Sequence, residues 1–220
     1  AGDFINSFAF VEDDGSVTLV DTGTRFATKA IVRGLAAFGK HPHDVQRIVL
    51  THAHLDHAGS ASSLVARSRA DGVSVHVEDA DYVRNGKPPQ SSSRVTTFMN
   101  RLPGTGWAPC PVSEELVDGE TLPVAGGLTV YHTPGHTPGH VSLLHQASGV
   151  LITGDSIFNM AGRMSWPVRA FCTDFPLNQQ TAAVLADVDY RVAAFTHGPH
   201  IDSAARETVR GFLRREGVVR

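Results

Sequence analysis

Residues 51 to 59 read Thr-His-Ala-His-Leu-Asp-His-Ala-Gly and follow directly on the apolar run Ile48-Val49-Leu50. His52, His54, Asp56 and His57 thus fall within six consecutive positions. A buried strand that leads into so many ionisable groups must pair them or use them, because an unpaired polar group away from water is costly. Imidazole and carboxylate suit Zn, Fe or Mn. Side chains alternate along an extended stretch, so His52 and His54 point the same way and offer two nitrogens to one ion. Asp56 and His57 lie beyond, where the chain turns toward Ala58-Gly59, and can face a second ion close by. Neither coordination sphere is complete from this segment alone. The missing ligands must come from other strand ends.

The chain offers candidates there. His136 stands in the Pro/Gly-rich stretch HTPGHTPGH, Asp155 follows a predicted strand ending at Thr153, and His197 follows one ending at Phe195. Ligand-type residues at strand ends, each followed by loop, are what a site built on a rigid sheet requires. Singly, each has a plainer reading: Gly-Asp as a turn, His-Gly-Pro as a loop. His41, His43, His76 and His145 read as solvated or hydrogen-bonded histidines. His132 and His200, which compete with His136 and His197, read as structural.

The remaining pattern bounds the fold. Strands are predicted over 5–11 and 17–20 around the turn Asp13-Asp14-Gly15. Ala27, Ala30, Ile31, Gly34, Leu35 and Phe38 recur at helical spacing, and Gly39 stops that helix. A strand over 47–51 leads into the histidine cluster, a helix over 58–68 follows, and then a strand over 73–77. Residues 85–113 differ: Gly86 to Ser93 reads as a flexible loop, 95–102 as a short helix, and Pro103-Gly104-Thr105-Gly106 as a turn. Strands resume over 128–132, 141–144 and 150–153. Leu177, Thr181, Val184, Leu185 and Val188 outline a helix, a strand over 192–195 follows, and Ala205, Val209, Phe212 and Leu213 share the face of a last helix. Two batches of strands punctuated by helices suit two packed sheets with helices outside. No linker divides the chain, so 1–220 is expected to be a single domain.

Composition excludes several classes. With 220 residues, 41% hydrophobic and 19% charged, the chain is neither disordered nor too short for a substantial core. Net charge is −3, and no Lys/Arg run marks a nucleic-acid partner. Apolar runs are too short to span a bilayer. The first residues, Ala-Gly-Asp-Phe, have no signal-peptide character, and Cys110 and Cys172 make no disulfide framework. A cytoplasmic setting and a small-molecule substrate are expected, with no nucleic acid and no membrane partner. No oligomeric state is specified. Twelve histidines are the unusual count.

At this point the chain resembles the metallo-β-lactamase-fold metallo-hydrolase superfamily. The resemblance runs in the family's order through LVDTG (Asp21), THAHLDHAG, TPGHTPGH (His136), TGD (Asp155) and THGP (His197). The second motif is highly specific; the others gain strength in series. The resemblance implies an α/β fold, an αββα sandwich of two mixed β-sheets flanked by helices. It implies two divalent metal ions, zinc in the first instance and iron or manganese otherwise. His52, His54 and His136 would bind the first, Asp56, His57 and His197 the second, and Asp155 would bridge them. Asp21 and His140 would support the site from behind. The fifth motif departs from the family's common Pro-Gly-His-Gly, reading Phe195-Thr196-His197-Gly198, which touches only the local loop.

Two cations that share a water lower its pKa enough to supply hydroxide near neutral pH, able to attack a carbonyl carbon. Asp56 would accept a hydrogen bond from that nucleophile and shuttle its proton. Cys172 offers no alternative nucleophile, since nothing nearby in the sequence activates it. In the family, zinc β-lactamases carry Cys or Ser where this chain has Asp155, whereas glyoxalase II-type thioesterases and lactonases carry Asp. The reading is therefore a dinuclear hydrolase of a thioester, lactone or related ester-like bond. The alternatives are a β-lactam hydrolase of the same fold, a mononuclear iron sulfur dioxygenase that uses the first site only, and a binding protein without turnover. Substrate contacts are expected from 85–113 and from Phe158, Asn159, Arg163, Trp166 and Arg169, where aromatic and cationic groups could clamp an acyl chain or a carboxylate. The competing reading makes Phe158 and Trp166 core and leaves the arginines solvated.

Overall fold

The structure is a computed structural model that describes residues 4–100, 102, 105–124 and 126–220. Residues 1–3 and the expected turn at Pro103-Gly104 lie outside these. The first sheet starts with the antiparallel pair β1 (Phe8–Val11) and β2 (Val17–Val20). From β2 it continues in parallel through β3 (Val45–Val49), β4 (Val73–His76) and β5 (Val112–Leu116). The connections carry α1 (Thr28–Ala37), the short α2 (Leu55–Ala58) and α3 (Ala61–Val65), then α4 (Val77–Asn85) and α5 (Arg94–Met99). The second sheet takes β6 (Thr121–Leu122), β7 (Leu128–His132), β8 (Val141–His145) and β9 (Val150–Ile152) as an antiparallel run. A separate hairpin of β10 (Phe158–Met160) and β11 (Arg163–Ser165) and helix α6 (Phe175–Thr181) precede β12 (Val192–Ala194), which pairs in parallel with β9. Helix α7 (Ala205–Arg215) follows.

Strand alternation creates the layers. Leu19 and Ile48 face Leu35 of α1 and Leu64 of α3, while their neighbours Val20 and Val49 face the other sheet. Leu144 and Leu151 pack with Phe212 and Leu213 of α7, while Leu143 and Ile152 turn inward to meet Val20 and Val49. The result is helix, sheet, sheet, helix, as expected. Removing side chains such as Ile48 or Leu143 from water stabilises the fold by about 1.5–3 kcal/mol each. Among the described residues no helix is long and apolar enough to cross a membrane.

The differences from expectation have local causes. The helix expected over 58–68 breaks at Gly59-Ser60. A Cβ on Gly59 would sit 2.5 Å from the Arg25 nitrogen, and Ser60 Oγ donates to the Thr24 carbonyl while accepting the Thr28 N–H. The loop between β2 and α1 thus claims the groups a continuous helix would need. Strand β5, which sequence reading missed, alternates half-buried and exposed residues up to the buried Leu116, with Glu114 paired to Arg47 and Glu115 to Arg84. Helix α4 was also missed; His76 caps it by accepting the Glu78 N–H. The Gly86–Ser93 loop, expected to be flexible, is tied down: Ser91 Oγ donates to the Ala170 carbonyl and the Ser92 N–H to the Cys172 carbonyl.

Candidate metal centre

Strand register delivers the histidine cluster and its partners to one edge. Val20 opposes Val49 in a parallel pair, so Asp21 and the segment from Leu50 leave the first sheet side by side. Ile152 opposes Ala194 in the second sheet, so the chains to Asp155 and His197 also leave together. His132 opposes Val141, and the turn between them carries His136 and His140. The Val141 N–H donates to the Thr51 carbonyl at 2.9 Å, which joins that turn to the His52–His57 segment.

All seven residues expected to bind metal meet there. His54 Nδ1 lies 3.1 Å from His52 Nε2 and 2.9 Å from His136 Nε2. Asp155 Oδ2 is 3.1 Å from His136 Nε2 and 3.9 Å from His52 Nε2. Its other oxygen, Oδ1, is 3.4 Å from His57 Nε2 and 3.5 Å from His197 Nε2. Asp56 Oδ2 completes this second set at 3.4 Å from His197 Nε2 and 3.8 Å from His57 Nε2. His52–His54–His136, His52–His57–Asp155 and Asp56–His57–His197 each bring ligand atoms within 4.8 Å of one another, close enough to hold a metal ion.

The rear nitrogens fix which face each ring presents. Asp21 Oδ2 accepts from the Thr51 hydroxyl and from His57 Nδ1–H, each at 2.8 Å, and Oδ1 accepts the Thr51 N–H. Because the Thr51 hydroxyl donates to Asp21, its oxygen is left to accept from His52 Nδ1–H at 3.0 Å. His197 Nδ1–H donates to the Phe4 carbonyl at 2.6 Å. The Nε2 atoms of His52, His57 and His197 then point into the cluster, in the outer-support pattern of metal-ligating histidines. His57 Nε2 is buried without a hydrogen-bond partner. An orphaned nitrogen beside two carboxylates, and bare imidazole nitrogens facing one another within 3.1 Å, both fit a cation between them.

Charge divides the two sets. Burial, with His57 next, holds the His52 imidazole well below its usual range. Burial and His136 push His54 down to about 3. For His57 burial acts downward, but Asp155, Asp56 and Asp21 prevail and raise it to about 9. For His197 burial again acts downward, and Asp155 and Asp56 raise it to about 11. Among protein groups alone, His52 and His54 are neutral while His57 and His197 hold their protons.

His140 stands behind Asp155: its Nε2 accepts the Asp155 N–H at 2.7 Å and its Nδ1 donates to the Thr133 carbonyl at 2.9 Å. Of the residues expected to meet substrate, Phe158 has its ring 4.5 Å from that of His197. Asn159 is buried and structural instead, with Nδ2 on the Pro199 carbonyl and its N–H on the His197 carbonyl. Trp166 packs on Phe212 and donates to Glu216, and Arg169 lies over Phe175. Arg163 is exposed on β11. His200 is exposed, 3.9 Å from Asp202. His76 and His132 stack at 3.9 Å, as a structural pair.

Sequence reading missed three supports. Asn6 Nδ2 donates to the carbonyls of Phe195 and Gly198, on either side of His197. Asp79 is bonded to the backbone beside the histidines. Cys172 does have a histidine neighbour, with Sγ 3.4 Å from His136 Nδ1, but burial, then Asp155 and Asp174, push the thiol to about 12. Polar partners of backbone groups carry no motif, and neither Asn6 nor Asp79 is marked out in the sequence.

Known proteins resemble this chain in sequence and in fold. The chain is 30% identical over 194 residues to the probable metallo-hydrolase YybB of Bacillus subtilis (strain 168), covering 87% of this chain and 80% of that protein. It is 28% identical over 133 residues to an N-acyl homoserine lactonase of Bacillus sp, covering 58% of this chain and 45% of the lactonase. The structure superposes on a metallo-beta-lactamase family protein of Thermus thermophilus with a TM-score of 0.72 at 27% identity, over 97% of this chain and 74% of that one. The sequence model of the metallo-beta-lactamase superfamily matches residues 1–197 and so reaches the last of the clustered histidines; the chain belongs to that superfamily.

Proposed function

We propose that this protein is a dinuclear metal-dependent hydrolase of thioesters or lactones, its 220 residues acting as one domain. The observation that carries the reading is Asp155, whose two carboxylate oxygens face different donor sets. His52 Nε2, His54 Nδ1 and His136 Nε2 would hold one ion, Asp56, His57 Nε2 and His197 Nε2 the other, and Asp155 both. When bound, the ions, zinc in the first instance, supply Lewis acidity and ease ionisation of a water for attack on a carbonyl carbon. Asp56, with 35% side-chain exposure, orients the attacking water and takes its proton. Asp21 and His140 keep the rings and the shared carboxylate from turning. Phe158, beside His197, offers an apolar wall to the acyl part of a substrate.

An aspartate at position 155, with the likeness to a protein named as a lactonase, supports ester-like substrates over β-lactams. The test is metal quantification on purified protein, with kcat/KM for a lactone, a thioester and a cephalosporin. About two equivalents per chain and a preference for the first two substrates are expected. One iron with full activity toward a persulfide would favour the dioxygenase reading, and a preference for the cephalosporin would overturn the branch.

A further inference from the structure

Asp79 belongs to α4 and to neither donor set, and the chemistry above makes no use of it. It is wholly buried. Its Oδ2 accepts from the Ala53 N–H and from the Thr137 hydroxyl, and its Oδ1 from the Gly139 N–H, each at 2.7 Å. A carboxylate this far from water is expensive and persists only when its hydrogen bonds are met. Here they are met by groups with one thing in common. Ala53 sits between His52 and His54, Thr137 follows His136, and Gly139 precedes His140.

We propose that Asp79 is a positioning residue that staples the His52–His54 loop of the first sheet to the His136–His140 turn of the second. The proposal rests on reading those histidines as metal ligands. The two loops come from different sheets, so nothing within either sheet sets the 2.9 Å approach of His54 Nδ1 to His136 Nε2. The Val141 N–H to Thr51 carbonyl bond joins them at the base, and Asp79 joins them beside the rings. Asp56, His57 and His197 are held by other groups, Asp21 and the Phe4 carbonyl among them. Asp79 therefore governs the three-histidine set and not its neighbour.

Asp79→Asn tests this, since the amide keeps the volume but cannot accept from donors on both sides. Thr137→Val removes a single arm and guards against a variant that fails to fold. Both would be followed by thermal melting, by Zn(II) and Co(II) titration against a chelator, and by histidine ring 15N shifts of the metal-free protein. The expected result is a folded variant in which the His52, His54 and His136 shifts move while those of His57 and His197 stay. Metal affinity of the three-histidine set should fall by about 10–100-fold, the range for lost outer partners, with less change in the other set. Thr137→Val should show the same selectivity to a smaller degree. Equal losses at both sets in step with the melting temperature, or unmoved ring shifts, would overturn the staple. A parent protein that takes up no metal would overturn the metal-centre reading instead, and the ring shifts would still decide the staple.

Discussion

His57 turns its Nδ1–H onto Oδ2 of Asp21 at 2.8 Å, and both side chains are wholly buried. Asp21 makes that contact from a left-handed backbone, φ 59°, which is uncommon for a residue with a Cβ although aspartate tolerates it better than most. Its oxygens also take the Thr51 N–H and hydroxyl. One carboxylate thus sets the tautomer of His57 directly and of His52 through Thr51.

Asp21→Ala should therefore weaken metal binding without removing any ligand. His57 Nδ1–H and the Thr51 donors would lose a buried partner, costing about 1–3 kcal/mol per group left unpaired. Metal affinity should fall by about 10–100-fold. Chelator competition on the variant and parent checks this; unchanged affinity would mean that Asp21 only stabilises the fold.

The raised pKa values predict how protons leave. His57 at about 9 and His197 at about 11 stand above the ordinary 6.5, so both are protonated at neutral pH among protein groups alone. Their contribution to metal-free stability is full below about pH 6.5 and is lost as pH rises through 9 and then 11. A cation must displace these protons, so affinity at the Asp56–His57–His197 set should climb with pH across that window. His52 and His54 should add no such climb to the other set, because both are held neutral. Calorimetry of Zn(II) binding in buffers of different ionisation enthalpy counts the protons. More should be released at the carboxylate-rich set, and equal release at both would contradict the assignment.

Much of the candidate site was legible in the sequence because its clustered groups are side chains, and side chains are spelled out. His52, His54, Asp56 and His57 are nearly contiguous, and His136, Asp155 and His197 each follow a strand whose apolar run is readable. The supports were less legible because they act on backbone groups: Asn6 on the Phe195 and Gly198 carbonyls, His197 on the Phe4 carbonyl, Asp79 on the Ala53 N–H. Such pairings join residues far apart in the chain and impose no pattern on it. The same holds for β5, an edge strand whose glutamates read as loop until Arg47 and Arg84 lie opposite them. Among the residues expected to meet substrate, aromatic character does not reveal what a ring packs on. Trp166 answers to Phe212 and Glu216, partners that arrive from the last helix and the turn after it.

His197 and His200 offer a clean comparison. His197 Nε2 is within 3.5 Å of both Asp56 and Asp155, while His200 is exposed, with Asp202 for company. His197→Ala should cost one metal equivalent and at least about 100-fold in kcat/KM, on the order of losing a positioned catalytic group. His200→Ala should keep both equivalents and stay within about 0.5 kcal/mol of parent stability. The reverse outcome would move the ligand three residues along the chain.

The last prediction turns on why Gly154 precedes Asp155. Gly154 has φ +54°, and a Cβ there would lie 2.4 Å from His140 Nε2 and 3.0 Å from the Val141 carbonyl oxygen. His140 cannot step aside easily, since it is buried and held at both nitrogens, by the Thr133 carbonyl and the Asp155 N–H. Gly154→Ala should thus cost more than the strain of a left-handed alanine, about 1–3 kcal/mol, with overpacking adding a similar amount. It should also displace Asp155, and with it metal binding at both donor sets. His140→Ala removes the ring that the new methyl meets. If the clash is the cause, the double variant will be less destabilised than the sum of the single ones, by roughly 1 kcal/mol or more. Denaturant unfolding of the four proteins gives that cycle. Strict additivity would mean that backbone strain alone accounts for Gly154, with no clash between a Cβ there and the His140 ring.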